Sequence, residues 1–148
     1  MNEFGGYTIP LDMERFFRTW KFGADNTKEC IKEHIHLLLI TTHSEFAFDA
    51  DFGCDLWEHE FEGEHVSAVW VDRIAESIKN TLTTYESRLV NIDVKAELTQ
   101  AEFAQKRGDG IARRLKKRMR VLVSAQLART NEPFEHEDNV LISPFSLD

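Results

Sequence analysis

The spacing of apolar residues changes abruptly near Leu89, and this change is the sequence feature that most constrains the fold. Apolar residues recur about every four positions before it, as on one helix face, and every second position after it, as in a half-buried strand. The helical set is Val66, Trp70, Ile74, Ile78 and Leu82, with Val69 alongside. The strand set is Val90, Ile92, Val94, Ala96 and Leu98. The chain is therefore predicted to pass directly from a helix into a strand.

Two further segments with regular apolar spacing complete the predicted core. The first is a helix from Thr27 to about Thr42, with Asn26 or Thr27 as its N-cap. Its apolar face consists of Cys30, Ile31, Ile35, Leu38 and Leu39. The second is a strand whose alternate residues are Met119, Val121, Val123, Ala125 and Leu127. We expect the two strands to pair as an antiparallel hairpin, so the predicted fold is α+β, with two main helices packed on a small, largely antiparallel sheet.

The connection between the two predicted strands, residues 101–116, is long and strongly basic. Connections longer than about 12 to 15 residues are often functional, so we predict a long basic hairpin loop that protrudes from the sheet. Residues 105–120 hold eight basic side chains against the single acid Asp109, whereas the whole chain has a net charge of −8. This separation of charge favours electrostatic docking to a partner. The possible docking residues are Lys106, Arg107, Arg113 and Arg114.

The two ends of the chain are less regular. Residues 1–26 are predicted to form an N-terminal arm with a helical turn around Met13 to Trp20, and residues 27–148 to form one domain. After the acidic stretch 131–139, the apolar residues Val140 to Ile142 predict a last short strand.

A segment rich in phenylalanine and acidic residues, 44–61, lies between the two predicted helices. Within it, the alternation from Glu45 to Asp49 predicts a short strand. Asp51 and Gly53 flank Phe52 in a predicted turn, where glycine supplies the backbone freedom.

No motif in the sequence indicates catalysis, a cofactor or a metal ion. The residues from Asp49 to Gly53 lack the carboxylate spacing of a calcium loop, and His59 and His65 are too far apart for a helical zinc pair. Nucleophile elbows and glycine-rich phosphate loops are also missing from the sequence. We therefore predict a protein that is not an enzyme and has no metal, no cofactor and no small-molecule substrate.

The chain has no apolar run long enough to cross a bilayer, since the longest extends from Ile35 to Ile40 and contains His36. The first residues also lack a basic stretch followed by an apolar one. We therefore predict a cytoplasmic protein without direct membrane insertion. Cys30 and Cys54 are expected to be reduced packing residues.

Glu86-Ser87-Arg88 lies where the second helix gives way to the first long strand. Glu86 is placed at the negative end of the helix dipole, which is unfavourable, whereas Arg88 is well placed. Residues two apart on a helix do not face each other, so a simple intrahelical pair is not expected. One reading is that one of the two charges binds an outside partner, and the alternative is a solvated helix end with no role.

Three stretches together resemble the phage baseplate wedge and type VI secretion TssE-type family, also described as lysozyme-like. The first is the helix ending in Leu37-Leu38-Leu39-Ile40-Thr41-Thr42, and the second is the segment 45–61 with its Asp-Phe-Gly turn. The third is Glu86-Ser87-Arg88, where the family carries Glu-Pro-Arg. The resemblance covers residues 27–127, and Ser87 departs from the pattern because it lacks the fixed φ of proline.

The resemblance implies a structural subunit that nucleates the contractile sheath and links it to the baseplate wedge, and the machine is expected to be a type VI secretion system. It implies that Glu86 and Arg88 attach the protein to sheath subunits and wedge proteins. It does not imply lysozyme activity, because no residue matches a catalytic pair. Val140 to Ile142 or the N-terminal arm would be the strands used for sheet augmentation.

Two other functions compete with this interpretation. A regulatory protein-binding domain of the anti-adaptor type has the same fold, and fold alone cannot separate the two. Nucleic-acid binding through Lys106 to Arg120 is disfavoured, because that segment lacks interleaved aromatic residues and belongs to an acidic protein.

Overall fold

The computed structural model describes residues 13–19, 27–57, 68–107 and 110–142. The helices are α1 (Met13–Thr19), α2 (Thr27–Ile40) and α3 (Ala68–Tyr85), with a short 3₁₀ turn at Asp55–Trp57. The strands are β1 (Leu89–Arg107), β2 (Gly110–Leu127) and β3 (Pro133–Ile142), joined as an antiparallel sheet in the order β1-β2-β3. The predicted α+β class is thus confirmed. None of the helices in these ranges is long and apolar enough to span a membrane.

Helices α2 and α3 bury the apolar stripes that their periodicity predicts. All five predicted residues of α2 are buried; they are Cys30, Ile31, Ile35, Leu38 and Leu39. In α3, Ile74, Ile78 and Leu82 are buried, whereas Val69 is exposed. Including Val69 in the buried face was wrong, because five residues along a helix place it well away from the face of Ile74.

The hairpin of β1 and β2 begins where the sequence predicts it, with Leu89 paired to Leu127. A β-bulge interrupts the register between Val90 and Asp93, and Asn91 within it has φ of 53°. The extra residue in β1 reverses which of its alternate side chains face the core on the two sides of the bulge. Leu89 is therefore buried and Val90 exposed, contrary to the prediction for Val90.

Strand β2 lies at the centre of the sheet and buries all five residues predicted for its inner face, from Met119 to Leu127. Strand β3 begins at Pro133, well before the predicted start at Val140. The first half of β3 was not predicted because two inward positions, His136 and Asp138, are polar and interrupt the apolar alternation.

The predicted long basic loop is instead a continuation of the hairpin. Pairing of β1 with β2 extends to Arg107 and Gly110, so residues 101–107 and 110–116 are strand. The prediction of a loop was wrong; it was made because these residues lack the regular apolar alternation by which a strand is identified in a sequence. Gly108 and Asp109, within the predicted turn, lie outside the described residues.

The predicted strand from Glu45 to Asp49 is wrong as well, because this segment forms consecutive turns. Its two phenylalanines are exposed, Phe48 completely, so no inner face exists for a strand to bury. The turns are closed by backbone hydrogen bonds, including one from Ser44 N to Ala50 O at 2.8 Å.

The chain then returns to the core at Gly53, which has φ of 119°. A Cβ atom there would lie 2.6 Å from the carbonyl oxygen of Thr41, so both the conformation and the space require glycine. Asp51 belongs to the same turn, where its backbone N–H donates to Asp49 Oδ1. The following residues fix the end of α2, since Trp57 Nε1 donates to Leu39 O at 2.8 Å.

Candidate functional site

Glu86 and Arg88 lie in a tight turn that joins α3 to β1. The Glu86 backbone N–H donates to Leu82 O, which completes the last turn of α3. The Leu89 N–H donates to Glu86 O, so residues 86–89 form a β-turn with Ser87 at its second position. That position favours proline, which explains physically why a Glu-Pro-Arg sequence suits this joint.

The side chains of Glu86 and Arg88 form a bidentate ion pair. Arg88 Nε donates to Glu86 Oε1 at 2.7 Å, and Arg88 Nη2 donates to Oε2 at 2.6 Å. The Arg88 backbone N–H adds a third bond to Oε1 at 3.1 Å. We expected no direct pair because residues two apart on a helix diverge; the pair forms because the helix has already ended at Tyr85.

The Glu86 side chain is only 2% exposed, so the alternative of a solvated helix end is wrong. A buried carboxylate is costly unless it is paired and fully hydrogen-bonded. Glu86 meets this requirement within its own chain. Arg88 remains 21% exposed and is thus the member of the pair that reaches the surface.

His34 is the third member of the cluster, and the sequence interpretation missed it. Its Nδ1 lies 2.8 Å from Glu86 Oε2, and because an ionised carboxylate only accepts, Nδ1 donates this bond. One signal in the sequence could have found it. His34 lies between Ile31 and Leu38 on the buried edge of α2, and a polar side chain there needs a partner within the fold.

The electrostatics of the cluster favour the ionised form of Glu86. Burial raises the pKa of this carboxyl, but the hydrogen bonds from Arg88 and His34 and the charge of Arg88 outweigh it and lower the pKa to about 2. The same bond to Glu86 raises the pKa of the Arg88 guanidinium. The pair is therefore fully charged at neutral pH.

A cavity of about 720 Å³ opens beside the ion pair. Ser87 and Arg88 form one wall of it, and Thr27, at the start of α2, and the β2–β3 connection form the rest. The exposed side of Arg88 is therefore accessible from outside the core, whereas Glu86 is not among the residues that line the cavity.

The other predicted site residues lie elsewhere in the fold. Arg107 pairs with Gly110, and Arg113 and Arg114 pair with Ala104 and Phe103, so all three lie in the half of the hairpin that is distant from Glu86. Lys106 pairs with Ile111 in the same half. The predicted docking residues are thus together on one long arm and separate from the ion pair.

A second polar cluster links α2 to β3. His36 Nδ1 lies 2.8 Å from Asp138 Oδ2, and His136 Nε2 lies 3.8 Å from the same oxygen. Burial raises the pKa of Asp138, but the two histidines outweigh it and lower the pKa to about 2. Among the described residues, no three His, Cys, Asp or Glu side chains are placed to hold a metal ion. Cys30 and Cys54 are both buried, and they are not joined in a disulfide.

Comparison with known proteins assigns the family. Residues 25–132 match the model of the family described as baseplate wedge protein gp25, which is more than half of the chain. The chain belongs to this family, whose members are structural components of phage tail-like baseplates. A search of curated protein sequences found no match.

A solved structure shares the fold. It is a protein from Geobacter sulfurreducens, described as a candidate tail lysozyme, with a TM-score of 0.56 and 21% sequence identity. The likeness covers 83% of this chain and 97% of that one. At this identity it shows the fold alone.

Proposed function

We propose that this baseplate subunit nucleates the contractile sheath and links it to the baseplate wedge, in a type VI secretion system. The observation that carries the proposal is the family match over residues 25–132, which includes β1, β2 and the ion pair. Sheath nucleation is supported by the sheet edges and by the position of Arg88, whereas the type of machine is proposed from the sequence resemblance alone.

The sheet offers edges to which sheath strands could add. In the order β1-β2-β3, the first and last strands each pair on one side only within the described residues. Open edges carry backbone donors and acceptors that another chain can use. Val140 to Ile142 already pair with β2. This segment would therefore offer its open edge to an incoming strand, and would not leave the sheet to pair with a strand of a partner protein.

Glu86 and Arg88 are proposed to share the attachment role unequally. Because Glu86 is buried, it would act by holding the guanidinium of Arg88 in a fixed orientation. Arg88, at the wall of the cavity, would make the contact with a sheath or wedge protein. The basic arm that contains Lys106, Arg107, Arg113 and Arg114 is proposed as a separate docking surface for an acidic partner.

We also propose that the protein is not an enzyme, despite the lysozyme-like name of its relative. Glycoside cleavage needs a carboxylic acid whose pKa is raised so that it can donate a proton. The clearly shifted carboxyl groups in the described ranges, Glu86, Glu137 and Asp138, are all shifted downward. Clear turnover of purified peptidoglycan by the pure protein would contradict this proposal.

The test of the attachment role is a pull-down of sheath and wedge proteins from the native cytosol with a pair of matched variants. The first is the double variant Glu86→Leu, Arg88→Met, which removes both charges and keeps similar volume, so the fold should survive. The second is Arg120→Ala, which breaks an exposed ion pair on the open face of the sheet.

We expect wild type and Arg120→Ala to capture sheath protein and the double variant, with an unchanged circular dichroism spectrum, to lose it. Equal capture by all three proteins would remove Glu86 and Arg88 from the attachment site. Capture of no baseplate or sheath protein by the wild type would contradict the proposal as a whole and favour the regulatory alternative.

A further inference from the structure

The Phe48 turn, defined as residues 42–54, carries an aromatic side chain, that of Phe48, which is fully exposed. Phe48 has a relative exposure of 101%, as much as in an extended peptide, and Phe46 is 44% exposed. Most large apolar side chains in the described ranges are buried or half-buried by comparison. Isolated exposed apolar residues are common, so exposure alone would not indicate a function.

The backbone of the Phe48 turn is held in place on both sides of Phe48. Asp49 N–H donates to Phe46 O, and Ser44 N–H donates to Ala50 O. Tyr85, the last residue of α3, donates its hydroxyl hydrogen to Asp49 Oδ1 at 3.0 Å. The residue next to Phe48 is thus fastened to the core helix.

Aromatic packing fixes the base of the same turn. The Phe52 ring meets Phe46 edge-on at 5.1 Å and Tyr85 edge-on at 5.2 Å between ring centroids. These are favourable geometries for aromatic pairs. Phe48 therefore projects from a preorganised support, which lowers the entropic cost of binding through it.

The charge around Phe48 specifies what could bind there. Residues 42–57 contain four acidic side chains and no lysine or arginine. Glu45 and Asp49, on either side of Phe48, and Asp51 are all exposed. A binding surface that receives Phe48 would therefore be stabilised by basic residues at its border.

We propose that Phe48 is an anchor that inserts into an apolar socket, bordered by lysine and arginine, on a partner protein. Aromatic anchors that fill a pocket at the centre of an interface, surrounded by a polar rim, commonly dominate binding. This interaction is distinct from the one proposed for Arg88 and does not depend on sheath nucleation.

The test is site-specific photocrosslinking in the native cells. p-Benzoylphenylalanine is placed at position 48 in one variant and, as the control, at Val69, which is 68% exposed near the start of α3 and belongs to none of the proposed contact surfaces. Mass spectrometry then identifies the crosslinked peptide. We expect a discrete adduct from position 48 alone, to an apolar segment flanked by basic residues, with a yield that falls as salt is added.

The identified partner then allows a direct measurement with pure proteins. Phe48→Ala should weaken binding at least about tenfold, and Phe48→Leu should retain part of the affinity. No adduct, the same adducts from both positions, or a socket with an acidic or neutral border would overturn the proposal. Because the Arg88 contact is separate, Phe48→Ala should leave sheath capture unchanged, which distinguishes failure here from failure of the proposed function.

Discussion

Two of the Glu–Arg clusters in the described part of the chain have similar bond lengths and very different surroundings. In the first, Arg88 Nη2 lies 2.6 Å from Glu86 Oε2, and the Glu86 side chain is 2% exposed. In the second, Arg120 Nη2 lies 2.7 Å from Glu137 Oε2, and the side chains are 47% and 41% exposed. Glu97 on the neighbouring strand lies 3.6 Å from the same guanidinium.

Bond length alone therefore says little about how much an ion pair contributes to the stability of the fold. Water and salt screen the Arg120 cluster, and exposed pairs typically contribute little to stability. Glu86 has lost its water, so its charge is tolerable only while Arg88 and His34 remain in place. The buried cluster should therefore control both stability at the α3–β1 joint and the orientation of Arg88.

The largest expected effect comes from breaking the buried pair on one side. Arg88→Ala leaves the Glu86 charge buried with His34 as its remaining side-chain partner, and should lower the free energy of unfolding by about 3 to 5 kcal/mol. Urea denaturation followed by tryptophan fluorescence would measure it. The double variant Glu86→Leu, Arg88→Met should lie near wild type; if it is as unstable as Arg88→Ala, the loss reflects packing and not an unpaired charge.

Acid should distinguish the buried pair in a second way. Because the pKa of Glu86 is about 2 in the fold and near 4.5 when unfolded, its contribution is complete above pH 4.5 and is lost as the pH falls toward 2. The difference in pKa corresponds to about 3 kcal/mol. Asp138 loses its contribution in the same range, but equally in wild type and in the Glu86→Leu, Arg88→Met variant.

Comparison of these two proteins therefore isolates Glu86. Denaturation curves between pH 2 and pH 6 should show wild type losing more stability than the double variant on acidification. Parallel losses in the two proteins would mean that Glu86 titrates normally in the fold.

Removal of His34, the third member of the Glu86–Arg88 cluster, should have a smaller effect on the free energy of unfolding. His34→Ala takes one hydrogen bond from Glu86 but leaves both bonds from the Arg88 side chain, so we expect a loss of about 1 to 2 kcal/mol. His36→Ala is a matched control, since it removes a histidine from the same helix without contacting Glu86. The effects of His34→Ala and Arg88→Ala should be non-additive, because both act on the same carboxylate.

The smallest effect is expected at the exposed cluster. Arg120→Ala should change stability by only a small fraction of the change caused by Arg88→Ala, and that change should shrink further in high salt. Thermal unfolding at two salt concentrations would measure both. An Arg120→Ala loss as large as that of Arg88→Ala would end the contrast between the clusters.

The sequence predicted those parts of the fold in which one face is buried and the other is solvated. The buried apolar residues of α2 and of β2 could be identified directly from the sequence, because burial of one face sets the spacing of the apolar residues. The apolar alternation is absent from the sequence of the basic half of the hairpin, and it is interrupted where inward positions are polar, as at His136 and Asp138. The bulge at Asn91 was invisible for another reason, since one inserted residue changes the register without changing composition.

The candidate site was predicted only in part. The positions of Glu86 and Arg88 could be singled out from the end of the helical pattern, but their direct contact depends on where α3 stops. The contact with His34 crosses 52 positions of the chain and depends on how α2 packs against α3. The spacing of residues within one helix or strand gives no information about a contact between residues so far apart in the sequence.

The most direct test of the account is the number of assembled sheaths in cells that lack this protein. A fluorescent sheath subunit is followed while the gene is deleted and then restored as wild type, as Glu86→Leu, Arg88→Met, or as Arg120→Ala. We expect no sheaths in the deletion strain, normal sheaths after restoration with wild type or Arg120→Ala, and no sheaths with the folded double variant. Sheaths at normal frequency in the deletion would contradict the claim that this protein nucleates their assembly.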